Sequence, residues 1–313
     1  MKYFKSKFIF LLCLWWWGWG LILFLSSSGN FGENKIVFCP VGQGDATILL
    51  TKGAVMLVDG GPDESVLSCL RQHVPWWRRR IDFLVLTHAD SDHYSGLKSV
   101  LRQYQVDNLL LPLQGDANGN FAEFYQLVWQ KRRQENLSMW LPVHAQKWCL
   151  GQNLCCQIIS QHHFYSPENI WQDEYHYKKL FSLITENNQY TVNKNNGSIV
   201  LNCNLIDKKI ILTGDIETDA ELSLLGDDLL TKVDILKVAH HGSKSSSSWN
   251  FLQKVKPEHS TIMCGQNNRY GHPHQIVLAR LHAVGSHVWR TDINGQVVFS
   301  YQPRSGWHVT SQY

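Results

Sequence analysis

Short apolar runs alternate with amphipathic segments along most of the chain, a pattern that predicts an α/β protein. Runs rich in Val, Ile and Leu predict strands at Ile36–Phe38, Ala46–Leu50, Val55–Val58, Phe83–Thr87, Leu109–Leu111, Ser198–Leu205, Lys209–Leu212, Val233–Val238, Ser260–Met263, His287–Trp289 and Gln296–Ser300. Segments of helical period predict helices at Phe121–Leu137, Glu217–Leu225, Trp249–Lys254 and His274–Val284. Residues 151–190 show no firm period and separate two batches of strands. We therefore expect two sheets that pack together with helices outside.

The most apolar stretch lies near the N-terminus, where Phe8–Leu25 contains no charged residue and three lysines precede it. A helix of this length spans about 27 Å, close to the hydrocarbon thickness of a bilayer. The positive-inside rule then places the rest of the chain on the outer side of the inner membrane. We predict residues 1–30 as a membrane anchor and 31–313 as one domain. A signal peptide cleaved near Ser26–Gly29, which would release a secreted domain, and a buried helix remain alternatives.

Composition and short motifs exclude several function classes. The 313 residues are 44% hydrophobic and 18% charged, which excludes a disordered chain or a long coiled coil. The net charge of +3 gives no electrostatic argument for a nucleic-acid partner. No Gly-rich phosphate-binding loop and no Gly-x-Ser-x-Gly nucleophile motif is present. The chemistry of the chain must therefore come from other residues.

Eight cysteines are spread along the chain without a CxxC pair, which argues against a structural zinc ribbon. In an exported domain, Cys149 can form a disulfide with Cys155 or with Cys156, and the sequence does not choose between them.

The strongest chemical signal follows the predicted strand Phe83–Thr87, whose continuous apolar run indicates burial on both faces. His88, Asp90, Asp92 and His93 lie within the next six residues. A rigid sheet holds such a loop firmly and leaves it accessible. Because neutral imidazole and ionised carboxylate suit zinc, manganese or iron, we expect the loop to aim these side chains at two neighbouring ions.

Two further predicted strands end in residues of the same kind. Asp215 follows Lys209–Leu212, and His240 and His241 follow Val233–Val238. A single Asp or His at the end of a strand is commonly structural. Three strands that each end in ligand-type residues instead indicate a metal centre.

Taken together, these motifs resemble the metallo-β-lactamase superfamily, and within it the C-terminal metallo-β-lactamase-like domain of ComEC-type DNA-uptake proteins. The resemblance spans residues 36 to 301 and is carried by Val41–Ala46, Leu57–Gly61, Thr87–Gly96, Asn196–Val200, Leu212–Asp215, Ala239–Ser243, Arg269–His274 and Arg290–Asp292. It implies an α/β fold of the four-layer αβ/βα sandwich type around a dinuclear metal centre. Here one N-terminal hydrophobic helix would precede that sandwich.

The resemblance also implies a ligand set. His88 and Asp90 would hold a first ion, Asp92 and His93 a second, Asp215 would bridge the two, and His240 or His241 would close the second site. It also implies that Asp92, Asp215 and His241 are the catalytic residues.

The first site departs from the superfamily pattern in two ways. Asp90 stands where that pattern has a second histidine, and Asn195–Ser198 replaces a third. Such an oxygen-rich first site favours manganese, so we expect two divalent ions that are zinc or manganese.

Several lesser features lie near the predicted centre or outside it. Four residues are predicted to contact substrate at the mouth of the site: Ser243, Lys244, His272 and His274. Asp59, at the end of its strand, is expected to orient a metal-binding histidine. Trp76–Arg80 can bind a nucleic-acid strand by stacking and phosphate contact, or can be a solvated face beside a packed tryptophan.

The function implied by the resemblance is a metal-dependent phosphodiesterase or nuclease that acts on DNA, with single-stranded DNA as substrate, in competence-type DNA uptake. Because the chain has one membrane segment at most, the pore would come from a separate channel-forming membrane protein. Two alternatives remain: hydrolysis of a small ester, lactone, β-lactam or phosphodiester, and a non-catalytic fragment of a channel protein.

Overall fold

The structure is a computed structural model that describes residue 15 and residues 33–113, 115, 119–160 and 193–312. Its strands are β1 (Asn34–Phe38), β2 (Thr47–Thr51), β3 (Ala54–Val58), β4 (Arg80–Ile81), β5 (Phe83–Val85), β6 (Gln105–Val106), β7 (Asn108–Leu110), β8 (Ser138–Trp140), β9 (Lys147–Leu150), β10 (Leu154–Ile158), β11 (Leu201–Leu205), β12 (Lys208–Leu212), β13 (Ile235–Lys237), β14 (His259–Ile262), β15 (His287–Arg290), β16 (Gln296–Gln302) and β17 (Gly306–Gln312). Its helices are α1 (Ser65–His73), α2 (Ser91–Gln103), α3 (Gly119–Glu135), α4 (Thr218–Leu224), α5 (Trp249–Val255), α6 (Gln275–Ala283) and α7 (Thr291–Asn294).

Two mixed sheets form the centre of the domain. The first has eight strands in the order β17-β16-β1-β2-β3-β5-β7-β8, and the second has seven in the order β15-β14-β13-β12-β11-β10-β9. Strands β3, β5, β7 and β8 are parallel in the first sheet, as are β12 to β15 in the second. The carboxyl ends of these parallel strands lie at the same end of the sandwich, where loops can bring their side chains together.

Three apolar clusters separate four layers. Strand β5 contributes to two of these clusters. Phe83 and Val85 pack between the two sheets, whereas Leu84 packs under the helices of the first sheet. Helices α1, α2 and α3 cover the outer face of the first sheet, and α4, α5 and α6 cover that of the second. The predicted αβ/βα sandwich is therefore confirmed, and so is the prediction that β5 is buried on both faces.

Helix α2 ties the functional loop to the sheet. Its inner face buries Leu97, Val100 and Leu101, and a Cβ added at Gly96 would lie 2.0 Å from the carbonyl oxygen of Gly60. Only glycine permits this close approach, which holds the start of the helix against the loop after β3.

Some strands and helices differ from the predicted ones in their bounds, and others were not predicted at all. The strand predicted at Ser198–Leu205 begins at Leu201, because Ile199 donates its N–H to the carbonyl oxygen of Thr87 in the loop after β5. Several elements were not predicted: strands β4, β6, β8, β9, β10 and β17 and helices α1, α2 and α7. Among the described residues, no helix is long and apolar enough to cross a membrane. Apart from Trp15, the predicted anchor Phe8–Leu25 lies outside the described residues, as do residues 161–192.

Three disulfides join neighbouring parts of the domain. Cys149 pairs with Cys155, which resolves the choice that the sequence left open, and the other two pairs are Cys39–Cys69 and Cys156–Cys203. Sequence spacing could not identify these two pairs, since their members lie 30 and 47 residues apart. Cys264 is a buried free thiol whose pKa is raised to about 12 by burial and by the nearby Asp292 carboxylate.

Thiol titration of a Cys13→Ser variant checks this pairing. We expect no reactive thiol in the native, unreduced protein, because the only free cysteine of the described residues is buried and un-ionised. One thiol should react after denaturation and seven after denaturation with reduction. Three or more thiols before reduction would contradict the disulfide assignment.

Candidate metal centre

Three loops supply the side chains of the site. The loop from β5 into α2 carries His88, Asp90, Asp92 and His93, and the loop after β12 carries Asp215. A 3-10 turn at Ala239–Gly242, which follows β13, carries the two adjacent histidines of the motif.

Three buried histidines share one arrangement: Nδ1 has a polar neighbour in the protein, and Nε2 has no hydrogen-bond partner. Nδ1 of His93 donates to Asp59 Oδ2 at 2.9 Å, and Nδ1 of His241 donates to the carbonyl oxygen of Met263 at 2.9 Å. Nδ1 of His88 lies 3.1 Å from the hydroxyl oxygen of Thr87. All three Nε2 atoms are buried and have no hydrogen-bond partner. Because buried polar atoms are normally paired, three unpaired nitrogens at one point indicate a ligand site.

Carboxylate oxygens surround these Nε2 atoms. Oδ2 of Asp215 lies 3.3 Å from Nε2 of both His93 and His241, and 3.9 Å from Nε2 of His88. Nε2 of His88 is 3.7 Å from Asp90 Oδ2, and Nε2 of His241 is 3.2 Å from Asp92 Oδ2. Ligands bound tetrahedrally at about 2.1 Å stand roughly 3.4 Å from each other, so this spacing fits a shared divalent ion.

The described residues contain four candidate donor groups, two of which include Asp45. The other two share His93. One contains His88, His93 and Asp215, and the other contains Asp92, His93 and His241, with the ligand atoms of each group within 4.8 Å of one another. The mixture of imidazole and carboxylate donors therefore fits the divalent ions predicted from the sequence, with Asp215 adjoining both groups.

The carboxylates of the site attract positive charge, either as protons on the histidines or as bound metal ions. Burial lowers the pKa of His93, but the carboxylates of Asp215, Asp59 and Asp45 outweigh burial and hold that pKa well above its usual value. Burial and the neighbouring His93 lower the pKa of His88. Two buried imidazoles, His93 and His241, can thus hold protons that a divalent ion would replace.

Two charged residues in the site were missed by sequence reasoning. Asp45 and Lys237 are both almost fully buried and form an ion pair, and Lys237 Nζ also lies 3.4 Å from Asp215 Oδ1. The same ammonium donates to the carbonyl oxygen of Gly214 at 3.0 Å. A lysine inside a predicted apolar strand was the available signal, since a buried charge requires a partner.

The two adjacent histidines have different surroundings. His241 faces the carboxylates, whereas Nδ1 of His240 lies 3.2 Å from Glu217 Oε1 and 3.5 Å from the amide nitrogen of Asn195. Both residues have positive φ, 48° and 52°, a strained conformation that points their rings in different directions.

We expect His241→Asn to reduce the metal content of the purified protein by about one ion per chain, and His240→Asn to leave it unchanged. The reason is that only His241 presents an unpaired Nε2 to Asp92 and Asp215. Elemental analysis after metal loading and desalting measures the difference. Equal losses in the two variants would contradict this distinction.

Of the four residues predicted to bind substrate, His272 lies beside the centre and His274 lies next to His272. The ring centroid of His272 is 6.2 Å from that of His241 and 5.2 Å from that of His274. Ser243 is buried beside Ser245, and Lys244 is exposed. The structure also places Asp59 as the hydrogen-bond acceptor of His93.

Comparison with known proteins agrees with this geometry. The family model described as "Metallo-beta-lactamase superfamily" matches residues 39–266. Curated relatives include ComE operon protein 3 of Bacillus subtilis, 33% identical over 73% of this chain, and Recombination protein 2 of Haemophilus influenzae, 29% identical over 82%. Competence protein ComA of Neisseria gonorrhoeae is 28% identical over 85% of this chain.

This chain covers only 26%, 27% and 32% of those three relatives, respectively. Among solved structures, the metallo-beta-lactamase fold protein YhfI of Bacillus subtilis aligns with a TM-score of 0.51 at 12% identity, over 82% of this chain and 96% of that chain. That likeness shows a shared fold. The resemblance to ComEC-type competence proteins is confirmed, and the chain belongs to the metallo-β-lactamase superfamily.

Proposed function

We propose that this protein is a metal-dependent phosphodiesterase that cleaves single-stranded DNA at the outer face of the inner membrane during DNA uptake. The family supports a metal-dependent hydrolase, and the names of the relatives support a link to competence. The observation that carries the proposal is the convergence of three unpaired Nε2 atoms on Asp215.

The site is open on one side. The side chains of Asp90 and Asp92 are 38% and 31% exposed, whereas the three histidines and Asp215 are buried. A substrate phosphate can therefore reach the centre past these two carboxylates. When bound, divalent ions would supply the Lewis acidity that neutralises the phosphate and activates water.

The residues of the chain position these charges. Asp59 and the carbonyl oxygen of Met263 fix the orientation of the His93 and His241 rings, so that no rotation is needed when substrate binds. Lys237 holds one oxygen of Asp215 and leaves Oδ2 directed at the Nε2 atoms. His272, whose Nδ1 is buried and unpaired, lies between His241 and the solvent-facing Tyr270 and can contact a bound phosphate.

An aromatic surface beside the centre supports a nucleic-acid substrate. The Tyr270 ring is half exposed and stacks on His272 with a centroid distance of 5.6 Å and an interplanar angle of 22°. The guanidinium of Arg269 lies 5.0 Å from the Tyr270 ring centroid. An exposed ring next to a cation is suited to stack a nucleobase while the adjoining phosphate enters the metal centre.

The disulfides bear on the compartment in which the domain works. Three disulfides favour an oxidising compartment, in agreement with an anchor at Phe8–Leu25 that would place the domain outside the cytoplasm. The chain spans about a quarter to a third of the length of its curated relatives. The partner that we propose is a channel-forming membrane protein.

Nuclease assays on the purified full chain test the proposed activity. We expect cleavage of a single-stranded oligonucleotide with added manganese or zinc, no cleavage with chelator, and none with Asp92→Asn. The exposed carboxylate variant Asp219→Asn serves as the matched control and should cleave normally. Hydrolysis of a small ester or β-lactam without DNA cleavage would replace this proposal with the small-molecule alternative. Absence of both activities from metal-loaded protein would favour a non-catalytic module.

Tyr270→Ala is expected to raise KM for a single-stranded oligonucleotide roughly tenfold while kcat changes less than about twofold, because base stacking contributes binding and leaves the reacting groups in place. Tyr270→Phe keeps the ring and should retain a KM near that of the wild type. Steady-state cleavage rates of the three proteins measure the effect. A fall in kcat at constant KM would contradict a stacking role.

A further inference from the structure

The end of the sandwich opposite the metal centre carries an exposed aromatic and basic surface. We call it the Trp76 surface, formed by Arg71, Trp76, Trp77, Arg79 and Arg80. These residues lie at the end of α1 and just before β5, whereas the metal-binding loop follows β5. Strand β5 and its flanking residues therefore separate the Trp76 surface from the metal-binding loop by roughly 25 Å.

The tryptophans of this surface are unusually accessible. Trp76 is 79% exposed and Trp77 is 38% exposed, with their rings in edge contact at a centroid distance of 5.7 Å. Indole rings are favoured at membrane–water interfaces, because an apolar ring and a polar N–H group meet there.

The arginines of the surface differ in their partners. Arg80 pairs with Asp82 and Asp107, so its charge is compensated. Among the described residues, Arg71 and Arg79 form no ion pair, and Arg71 only donates to the amide oxygen of Gln103 at 3.3 Å. The surface thus retains two uncompensated positive charges beside its exposed indoles.

These two arginines line one cavity. It has a volume of about 140 Å³, and its lining includes Arg71, Arg79, Trp76, Gln103 and Tyr104 but no acidic residue. Burial raises the pKa of Tyr104, and the charges of Arg71 and Arg79 oppose that rise, so both guanidinium groups lie within electrostatic reach of its hydroxyl. A third arginine of the lining, Arg78, is paired with Asp82, so Arg71 and Arg79 carry the uncompensated charge of the cavity. Two such cations beside a hydroxyl fit a phosphate group.

The path of the chain distinguishes a lipid phosphate from a nucleic-acid phosphate. Strand β1 is antiparallel to β2, which is antiparallel to β3, so β1 runs in the same direction as β3 and β5. Asn34, the first residue of β1, therefore lies at the end of the sandwich that carries the Trp76 surface. The apolar segment that ends at Leu25 precedes Asn34 by only eight intervening residues, which can span at most about 30 Å.

We propose that the Trp76 surface binds anionic phospholipid, with lipid phosphate in the cavity between Arg71 and Arg79 and the Trp76 indole in the interfacial layer. The proposal rests on the proposed membrane anchor but not on the proposed nuclease activity. It orients the domain with its metal centre facing away from the bilayer, where a DNA strand can reach Asp90 and Asp92.

Oxidative footprinting of the full chain in proteoliposomes tests this orientation. Vesicles of neutral phosphatidylcholine are compared with vesicles that contain anionic phosphatidylglycerol, and modification of each tryptophan is measured by mass spectrometry. Trp249, which is 42% exposed outside this surface, serves as an internal reference. We expect anionic vesicles to reduce Trp76 modification severalfold and to leave Trp249 unchanged.

Arginine variants and salt test the source of the protection. Each basic residue near an anionic membrane strengthens binding roughly fivefold. The double variant Arg71→Gln/Arg79→Gln should therefore show the same Trp76 modification in neutral and in anionic vesicles. High salt should also weaken the protection of Trp76 by anionic vesicles. Cleavage of a short oligonucleotide should be unchanged in the double variant, since neither arginine lies at the metal centre.

Three results would overturn the proposal. The first is equal Trp76 modification in both vesicles while the chain still floats with them, which leaves the anchor intact. The second is failure of the chain to float with either vesicle, which rejects the anchor as well. The third is protection of Trp76 by a single-stranded oligonucleotide and not by anionic vesicles, which would assign the surface to nucleic acid.

Discussion

Asp215→Asn is expected to lower kcat/KM for DNA cleavage by about 10³-fold, which corresponds to roughly 4 kcal/mol of lost transition-state stabilisation. Its Oδ2 approaches the Nε2 atoms of His88, His93 and His241 together. An amide keeps the shape of the side chain but removes the negative charge that both donor groups share. The expected second effect is a loss of bound metal.

Steady-state kinetics and elemental analysis should be read together for this variant. Asp219→Asn, an exposed carboxylate four residues away on α4, should keep both activity and metal content. Circular dichroism would verify that both variants are folded. Asp215→Asn protein that retains two ions and full activity would contradict the bridging position that we assign to this carboxylate.

The layered fold and the loops of the metal centre could be predicted because each strand that precedes a functional loop is apolar. Phe83–Val85, Lys208–Leu212 and Ile235–Lys237 have the composition of buried parallel strands, and the polar residues that follow them are conspicuous. Strands β9 and β10 escaped prediction because their burial alternates and polar residues interrupt the apolar pattern.

The hydrogen-bond network behind the metal centre could not be predicted, because it joins residues that are distant in sequence. Asp59 accepts hydrogen bonds from both the N–H and the hydroxyl of Thr87 and from His93. Sequence reasoning placed Asp59 near a histidine but could not choose which one. Which of His240 and His241 faces the metal centre also required a structure. Both residues have left-handed backbone conformations, so the side-chain directions do not follow the alternation of a strand.

Metal preference follows from the donors that stand at each group. In the loop after β5, Asp90 rather than histidine approaches His88, so the donor set around His88 contains two carboxylates. The group of Asp92, His93 and His241, which Asp215 adjoins, likewise combines two imidazoles with two carboxylates. Both groups thus offer the mixture of nitrogen and oxygen donors that divalent ions such as zinc and manganese accept.

Lys237→Met is expected to lower the free energy of unfolding of the metal-free protein by about 3 to 5 kcal/mol, because it leaves the buried carboxylate of Asp45 without its lysine. Burial lowers the pKa of Lys237, yet Asp45 and Asp215 outweigh burial and raise it, so the side chain is charged in the folded protein. The pKa of Asp45 is correspondingly lowered, against burial, by Lys237, His241 and His93.

A double-mutant cycle with Asp45→Asn separates this ion pair from the packing of the two side chains. Once Asp45 is neutral, Lys237→Met should cost roughly 2 kcal/mol less than it does alone, because the loss of the lysine then leaves only the Asp215 carboxylate without this partner. Lys208→Met provides the matched control, since Lys208 pairs with Asp234 and Glu258 at the partly exposed start of β12 and should cost less than about 1 kcal/mol. Urea unfolding with chelator present measures all four proteins and the control. Strictly additive effects would mean that the two residues stabilise the domain independently, and would contradict the ion pair that we assign to Lys237 and Asp45.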